Sequence, residues 1–315
     1  MELKLKYFLT LLIFFPFTFL GQDSLLILKN FDYRKADSIA INFPKKKYNS
    51  YTEITGPLCE KLTTEHEKFR AIFRWIAENI EYNKSAANVS DADKIVKRNK
   101  AVCMGFSSLL KEMCNSVGIE CDTISGYTKT EVKDIGKKLK KTDHAWNAVK
   151  LYNQYYLVDV TWATSKYNVI TRKFEKQFDE HYFITPPETF ILDHYPENKN
   201  WQLLPKKVRA KTFINSPLLY VDFFHFGCKE LSLAKGRFTI KQNESVSFRF
   251  ACLSKLTEAG LMINEDNTLI PTPLKFDKKM NQYLIEFAPE KPGIYDITLF
   301  LNNLATAEFV VKVRK

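Results

Sequence analysis

Two stretches decide how this chain is read: KAVCMGFSSLLKEMCNSVG (100–118) and HAWNAVKLYNQYYLVDVTW (144–162). In the first, Phe106, Leu109, Leu110, Met113 and Val117 form one apolar stripe at helical spacing, and Gly118 stands where a helix-terminating residue belongs. Cys103 therefore opens a packed helix. In the second, two strand-like runs, His144–Leu151 and Tyr155–Trp162, flank Tyr152-Asn153-Gln154 and predict a hairpin. With a turn centred on Tyr152-Asn153, paired positions sum to 305, so Asp159 faces Trp146 and Thr161 faces His144. His144 and Asp159 are then diagonal neighbours on one sheet face, about 7–8 Å apart at the backbone. That face also holds Trp146, Ala148 and Leu157, and the Cys103 helix is expected to pack there. The opposite face, with Ala145, Val149, Leu151, Tyr156, Val158, Val160 and Trp162, is expected to be core.

The three residue types suit nucleophilic chemistry. A thiol at a helix N-terminus feels the positive end of the helix dipole, which favours thiolate. Free N–H groups of the first turn can stabilise an oxyanion beside the sulfur. A histidine must pair with the thiolate and protonate the leaving group, and a third group must fix its tautomer. Cys103, His144 and Asp159 can take those roles. Taken alone, Cys103 could be a buried thiol and His144 a satisfied strand histidine. A buried Asp159 in an apolar strand would need a partner. Trp146 either flanks the cleft and binds substrate or caps the hairpin. Trp162 reads as core.

Around these stretches the chain is ordinary in composition. Its 315 residues are 45% hydrophobic and 26% charged, which excludes wholesale disorder and suggests two domains. Six cysteines are too few for a disulfide-built scaffold. Lys and Arg total 47 against 36 acidic residues, a net charge of +11 that suits an acidic surface partner or simply a solvated Lys-rich exterior. No zinc-finger spacing and no aromatic-plus-basic RNA-binding signature occurs, so nucleic acid is not an expected partner. The segment Met1–Gly21 has Lys4 and Lys6, an uncharged run from Tyr7 to Leu20, then Gly21 before polar residues, the order of a secretory leader. Its 14-residue run is shorter than the about 20 residues of a membrane span. With cleavage expected after Gly21, the mature chain keeps 45 basic and 35 acidic residues, a net charge of +10, with no transmembrane segment and a secreted or periplasmic address.

Thr63 or Thr64 followed by Glu65 and Glu67 signals a helix start. Phe69, Ile72, Phe73, Ile76 and Ile80 then share a face, predicting a helix over about 64–80. Ile119–Tyr127 reads as a strand, and Thr128–Asp143, with six lysines, as an exposed loop. Residues 179–204 look like an irregular wrap. After about 212, short strands at 245–250, 283–287, 294–301 and 308–313 suggest a small Ig-like β-sandwich. The domains expected are a leader at 1–21, an α+β domain at 22–210 with its core at 62–205, and the sandwich at 212–315. Cys114 and Cys121 read as buried thiols, with a disulfide as the alternative. Cys228 and Cys252 either bridge within the sandwich or stay free, and Cys59 has no assigned role. No standard metal-ligand spacing joins His181 or His194 to these cysteines, so neither a metal nor a cofactor is expected.

KAVCMGF (100–106), ISGY (124–127), HAWN (144–147) and DVTW (159–162) resemble the transglutaminase-like superfamily of papain-type folds, in the same Cys, His, Asp order. RWIAENIEY (74–82), DEHYF (179–183), PPE (186–188) and WQLL (201–204) are similar to its kyphoscoliosis-peptidase branch. The resemblance covers about residues 62–205. It implies a papain-like core, a helix bearing Cys packed on an antiparallel sheet, with Cys103 as nucleophile, His144 as general acid/base and Asp159 as orienting carboxylate. It implies a thiol hydrolase or peptidase acting through a thioester on peptide, protein or cell-wall material. The alternatives are an acyl-transferring cross-linker and a non-catalytic interaction module. No side-chain oxyanion donor is assigned; Tyr82 is a candidate without geometric support.

Overall fold

The computed structural model describes residues 20–315 apart from 231–234, 265 and 267. The expected leader lies outside the described residues except for its last two positions, which begin the helix Leu20–Lys29. Among the described residues no helix is long and apolar enough to cross a membrane.

The first domain is built on the helix Glu65–Asn79, whose start matches its sequence signal. Thr64 Oγ1 accepts the Glu67 N–H and the Glu67 carboxylate accepts the Thr64 N–H, a reciprocal cap that satisfies two otherwise orphaned donors. Phe69, Ile72, Phe73, Ile76 and Ile80 are all fully buried. The helices Arg34–Ile41 and Thr52–Cys59 pack on this one, so residues before 62 belong to the same core. Arg70 ties them together. Buried on the helix, it bonds Asp37 at 2.6 and 2.9 Å and Glu180 at 2.6 and 2.7 Å, with its guanidinium 4.5 Å from the Phe183 ring centroid.

The sheet has four antiparallel strands in the order Gln154–Val158, His144–Leu151, Cys121–Thr128, His194–Pro196. The hairpin register is the one the turn predicts: Leu151 pairs with Gln154 and Asn147 with Val158. Tyr152 (φ 50°) and Asn153 (φ 65°) both occupy the left-handed region that a tight two-residue hairpin turn needs.

Three expectations need correction. The second strand stops at Val158 rather than running to Trp162, because the Asp159 carboxylate caps a short helix, Val160–Thr164, and turns the chain away. The Cys103–Ser116 helix packs on the opposite sheet face from the one expected. Its Phe106, Leu109, Leu110 and Met113 share a core with Val149, Leu151, Tyr156 and Val158, and Asn147 Nδ2 donates to the Ser107 carbonyl at 3.0 Å. The face of Trp146, Ala148 and Leu157 is covered instead by Phe190, Trp201 and Leu203. Residues 179–204 are also not wholly irregular. His194–Pro196 forms the fourth strand, a three-residue edge whose proline hides it from sequence reading.

The second domain is a sandwich of two sheets. One orders Lys229–Glu230, Val246–Ala251, Gln282–Phe287 and Lys275–Asp277; the other orders Arg237–Lys241, Leu304–Arg314, Gly293–Leu301, Ala259–Ile263 and Leu269–Thr272, with Leu218–Leu219 added to Leu304–Arg314. Phe248, Phe250, Ile285, Ile297, Phe309 and Val311 fill the space between them. Cys228 and Cys252 are joined in a disulfide, while Cys59, Cys103, Cys114 and Cys121 are free thiols. The Lys-rich segment is not simply solvated: Val132 and Ile135 are buried against Leu218 and Val310 of the sandwich, and Lys129 Nζ donates to the Phe213 carbonyl at 2.8 Å. Lys166 with Asp222 (2.7 Å) and His225 with Asp179 (3.0 Å) close the remaining seam.

Candidate functional site

Cys103 is the first residue of its helix. Its N-cap is Val102, which has no side-chain acceptor, so nothing from a cap occupies the N–H groups of the first turn. The helix can lie this low because residue 105 is glycine: a Cβ there would press on the Val89 carbonyl and the Ala101 methyl. Cys103 is half-buried at the helix tip, within electrostatic reach of His144 and Ala145 at the start of the neighbouring strand. Burial alone would push the thiol up; the nearby His144, helped by the Ala145 N–H, outweighs it and holds the thiol below its ordinary value.

His144 is buried, with Nε2 2.6 Å from Asp159 Oδ2, which leaves Nδ1 for the sulfur. Burial disfavours its cation, but Asp159 and then Cys103 overcome that and carry His144 up to about 10. Asp159 is fully buried and fully satisfied. Oδ1 accepts the N–H groups of Thr161 (2.8 Å) and Trp162 (3.1 Å), and Oδ2 accepts His144 and, at 3.0 Å, His194 Nε2. Despite burial, the two imidazoles hold its carboxyl well below the usual carboxylate range. Of the three residues singled out in the sequence, His144 and Asp159 are joined directly, and Cys103 is coupled to them electrostatically. The sulfur reaches the imidazole from the tip of the helix, not across the sheet face where the helix was expected.

Trp146 is more deeply buried than expected, while Trp162 packs on the core as expected but from its rim. Trp146, expected to flank the cleft, is 1% exposed and lies with Phe190 and Leu157 behind the imidazole, so it has no surface to offer a substrate. Trp162, expected in the core, is half-buried, its ring 5.4 Å from His144 and 4.5 Å from His194. Trp146 also accounts for Gly126, which pairs with His144 in the sheet: a Cβ at Gly126 would overlap the Trp146 ring and the Tyr195 carbonyl. Burial pushes the Tyr82 phenol up, and negative charge on Cys103 adds to the effect. The hairpin Ser165–Asn168/Lys173–Lys176 borders it, with Phe174 6.2 Å from the Tyr82 ring.

Sequence reasoning missed two residues. Asn147 bonds the Ser107 and Asp122 carbonyls and so fixes the Cys103 helix on the sheet. Its place beside His144 and Trp146 in HAWN was the only signal. His194 was weighed only as a metal ligand alongside cysteines; it bonds Asp193 and Asp159 instead. His181 stacks on Phe224 at 4.4 Å. His144, Asp159 and His194 present ligand-type atoms within 4.8 Å of one another, close enough for one metal ion. Here they adopt hydrogen-bond separations of 2.6 and 3.0 Å, and an ion would have to displace the proton that joins His144 to Asp159.

Such a line can form a thiolate–imidazolium pair, attack a carbonyl carbon and return a proton to a leaving group. Comparison with known proteins agrees in kind. The sequence profile of the transglutaminase-like superfamily matches residues 52–160. Kyphoscoliosis peptidase of Homo sapiens is 37% identical over 181 residues, covering 56% of this chain and 27% of that protein. Kyphoscoliosis peptidase of Mus musculus is 35% identical over 201 residues, covering 62% and 30%. The chain thus spans less than a third of the length of these curated relatives. A solved structure described as a putative cysteine protease from Cytophaga hutchinsonii is 21% identical, with a TM-score of 0.29, over 47% of this chain and 45% of that one. The matched span holds Cys103, His144 and Asp159, and over that span the chain is similar to the transglutaminase-like superfamily and to the kyphoscoliosis peptidases.

Proposed function

We propose that this protein is an exported thiol hydrolase that cleaves amide bonds in peptide, protein or cell-wall material. One observation carries the reading: an imidazole 2.6 Å from a buried carboxylate holds a half-buried thiol at an uncapped helix start below its ordinary value. The Cys103 thiolate attacks the amide carbonyl carbon. The developing oxyanion meets the free N–H groups of the first helical turn. The C–N bond breaks as His144 gives its proton to the departing amine, leaving a thioester on Cys103. His144, now neutral, takes a proton from water, hydroxide attacks the thioester, and the acid and the thiolate–imidazolium pair are restored. Asp159 keeps the imidazole in the required tautomer throughout. The peptidase named in the human and mouse relatives supports amide hydrolysis. Export is proposed from the basic-then-apolar order of residues 1–21, and the Cys228–Cys252 disulfide is what an oxidising compartment sustains.

The test is alkylation of Cys103 by iodoacetamide at neutral pH, read by mass spectrometry, in the unmodified protein and in His144→Ala. An activated sulfur should label at least about tenfold faster than a free thiol and lose that advantage without His144. Equal rates would leave a non-catalytic module. Incubation with a glutamine peptide and an amine donor then separates hydrolysis from acyl transfer by product mass.

A further inference from the structure

Asp159 is gripped from two sides, and the second grip is outside the three-residue line. His194 Nε2 lies 3.0 Å from Asp159 Oδ2, and His194 Nδ1 lies 2.5 Å from Asp193 Oδ1. Neither His194 nor Asp159 has any exposed surface, and Asp193 has 3%. A neutral imidazole carries one N–H, so it could serve only one of these carboxylates and would turn a lone pair on the other. Two carboxylate oxygens at these distances call for an N–H on both nitrogens. With both carboxylates ionised, His194 is a buried imidazolium between them. Burial disfavours that charge, and Asp193 and Asp159 outweigh the penalty. Aromatic rings exclude water around it: Phe190 stacks on it at 4.1 Å, Trp162 lies at 4.5 Å and Trp146 at 5.1 Å. Asp193 Oδ2 has no partner among the described residues, so His194 is the group that answers the Asp193 charge.

We infer that His194 is a positioning residue for the chemistry at Cys103, a fixed cation held by Asp193 that keeps Asp159 ionised and aimed at His144. The inference rests on the thiol-hydrolase reading and extends it. The working line becomes Asp193, His194, Asp159, His144, Cys103, with charges that alternate along it. Without the central cation, two buried carboxylates would face each other and one would take up a proton. If Asp159 takes it, the carboxyl no longer stabilises the His144 imidazolium, and the thiolate loses its partner. The signal lies 35 residues after Asp159, on the far edge strand, and only the folded sheet brings it back.

The pH profile of Cys103 alkylation tests this in His194→Gln, which keeps an amide donor and removes the charge, and in Asp193→Asn. His194→Gln should slow labelling at pH 7 by about tenfold or more and move the acid limb up by about one unit. Asp193→Asn leaves His194 one carboxylate, so His194 should titrate and add a new step between about pH 6 and 8. Profiles identical to the unmodified protein in both variants, with His144→Ala still slow, would overturn the role of His194 and leave the hydrolase reading standing. A Cys103 that is no more reactive than a free thiol in the unmodified protein would remove both. Should either variant fail to fold, 15N-histidine NMR of the unmodified protein decides. His194 should show two protonated nitrogens from pH 6 to 8, and one bare nitrogen at pH 7 sinks the inference.

Discussion

The two domains bury different things. Between its sheets the sandwich packs an apolar interior, with Phe248 and Phe309 4.6 Å apart and Ile285, Ile297 and Val311 around them. The first domain buries Arg70, His144, Asp159, Asp193 and His194 within or beside its apolar core. A buried ion costs several kcal/mol unless its partners restore what water supplied. Asp159 has four donors and Arg70 two carboxylates, so both are answered in full. The contrast teaches where specificity resides: apolar burial makes a domain stable, and the hydrogen bonds that converge on Asp159 fix one geometry at one place.

Three experiments would break or sharpen that contrast. The largest effect is expected from Phe309→Ala, which empties a fully buried site in the sandwich and should cost about 3–5 kcal/mol. Denaturant unfolding would show the loss, and below the transition Cys103 alkylation should be unchanged, because the two cores are separate clusters. A tenfold slowing in the folded variant would show that the sandwich supports the site. Arg70→Leu should cost about 2–3 kcal/mol, less than a sealed ion pair, because Glu180 is 49% exposed. Unlike the first variant, it should loosen the segment from Glu180 to Phe183, seen as faster amide exchange there. Protection equal to that of the unmodified protein would remove Arg70 as the tie between the early helices and that segment.

The smallest and most selective effect is expected from pH. His144 is raised to about 10 in the fold, so its stabilisation is complete below 6.5 and lost progressively as pH rises through about 10. Cys103 is lowered, so its contribution is present above its ordinary value of 9 and lost as pH falls through the folded value. Between those limits the Cys103 gain opposes the His144 loss, but His194, also raised, adds to the loss, so the first domain should begin to weaken gradually as pH rises above 6.5. Asp159 is depressed, and its contribution, present above 3.8, should fade only in strong acid. Above pH 9 the Cys103 gain has saturated while the His144 loss continues, so the first domain should weaken between about pH 9 and 10. The interior of the sandwich should not follow it, and domain-resolved amide exchange would show whether it does.

Much of this was legible from short-range patterns. The helix Glu65–Asn79 was marked by its threonine cap and one apolar face, because capping and periodicity act within a few residues. The Cys103 helix was marked in the same way, and Gly118, at φ +79°, takes the terminating position its type suggested. The hairpin register followed from a two-residue turn that leaves the strands no other pairing. The disulfide was not decided, since spacing alone does not bring two cysteines together.

By itself, then, the sequence determined which segments are helix and hairpin, where the sulfur stands on its helix, and that a histidine and an aspartate share a hairpin with it in view. The tertiary structure alone decided which sheet face receives that helix. Both faces are apolar, Trp146, Ala148 and Leu157 on one and Ala145, Val149 and Leu151 on the other, so hydrophobicity could not choose between them. It also decided that Asp159 leaves the strand to cap a helix, that Trp162 lies half-buried near His144, and that His194 bonds Asp159 from the far edge strand. Those outcomes depend on contacts between residues far apart in the chain, and such contacts exist only once the whole sheet has been assembled and covered.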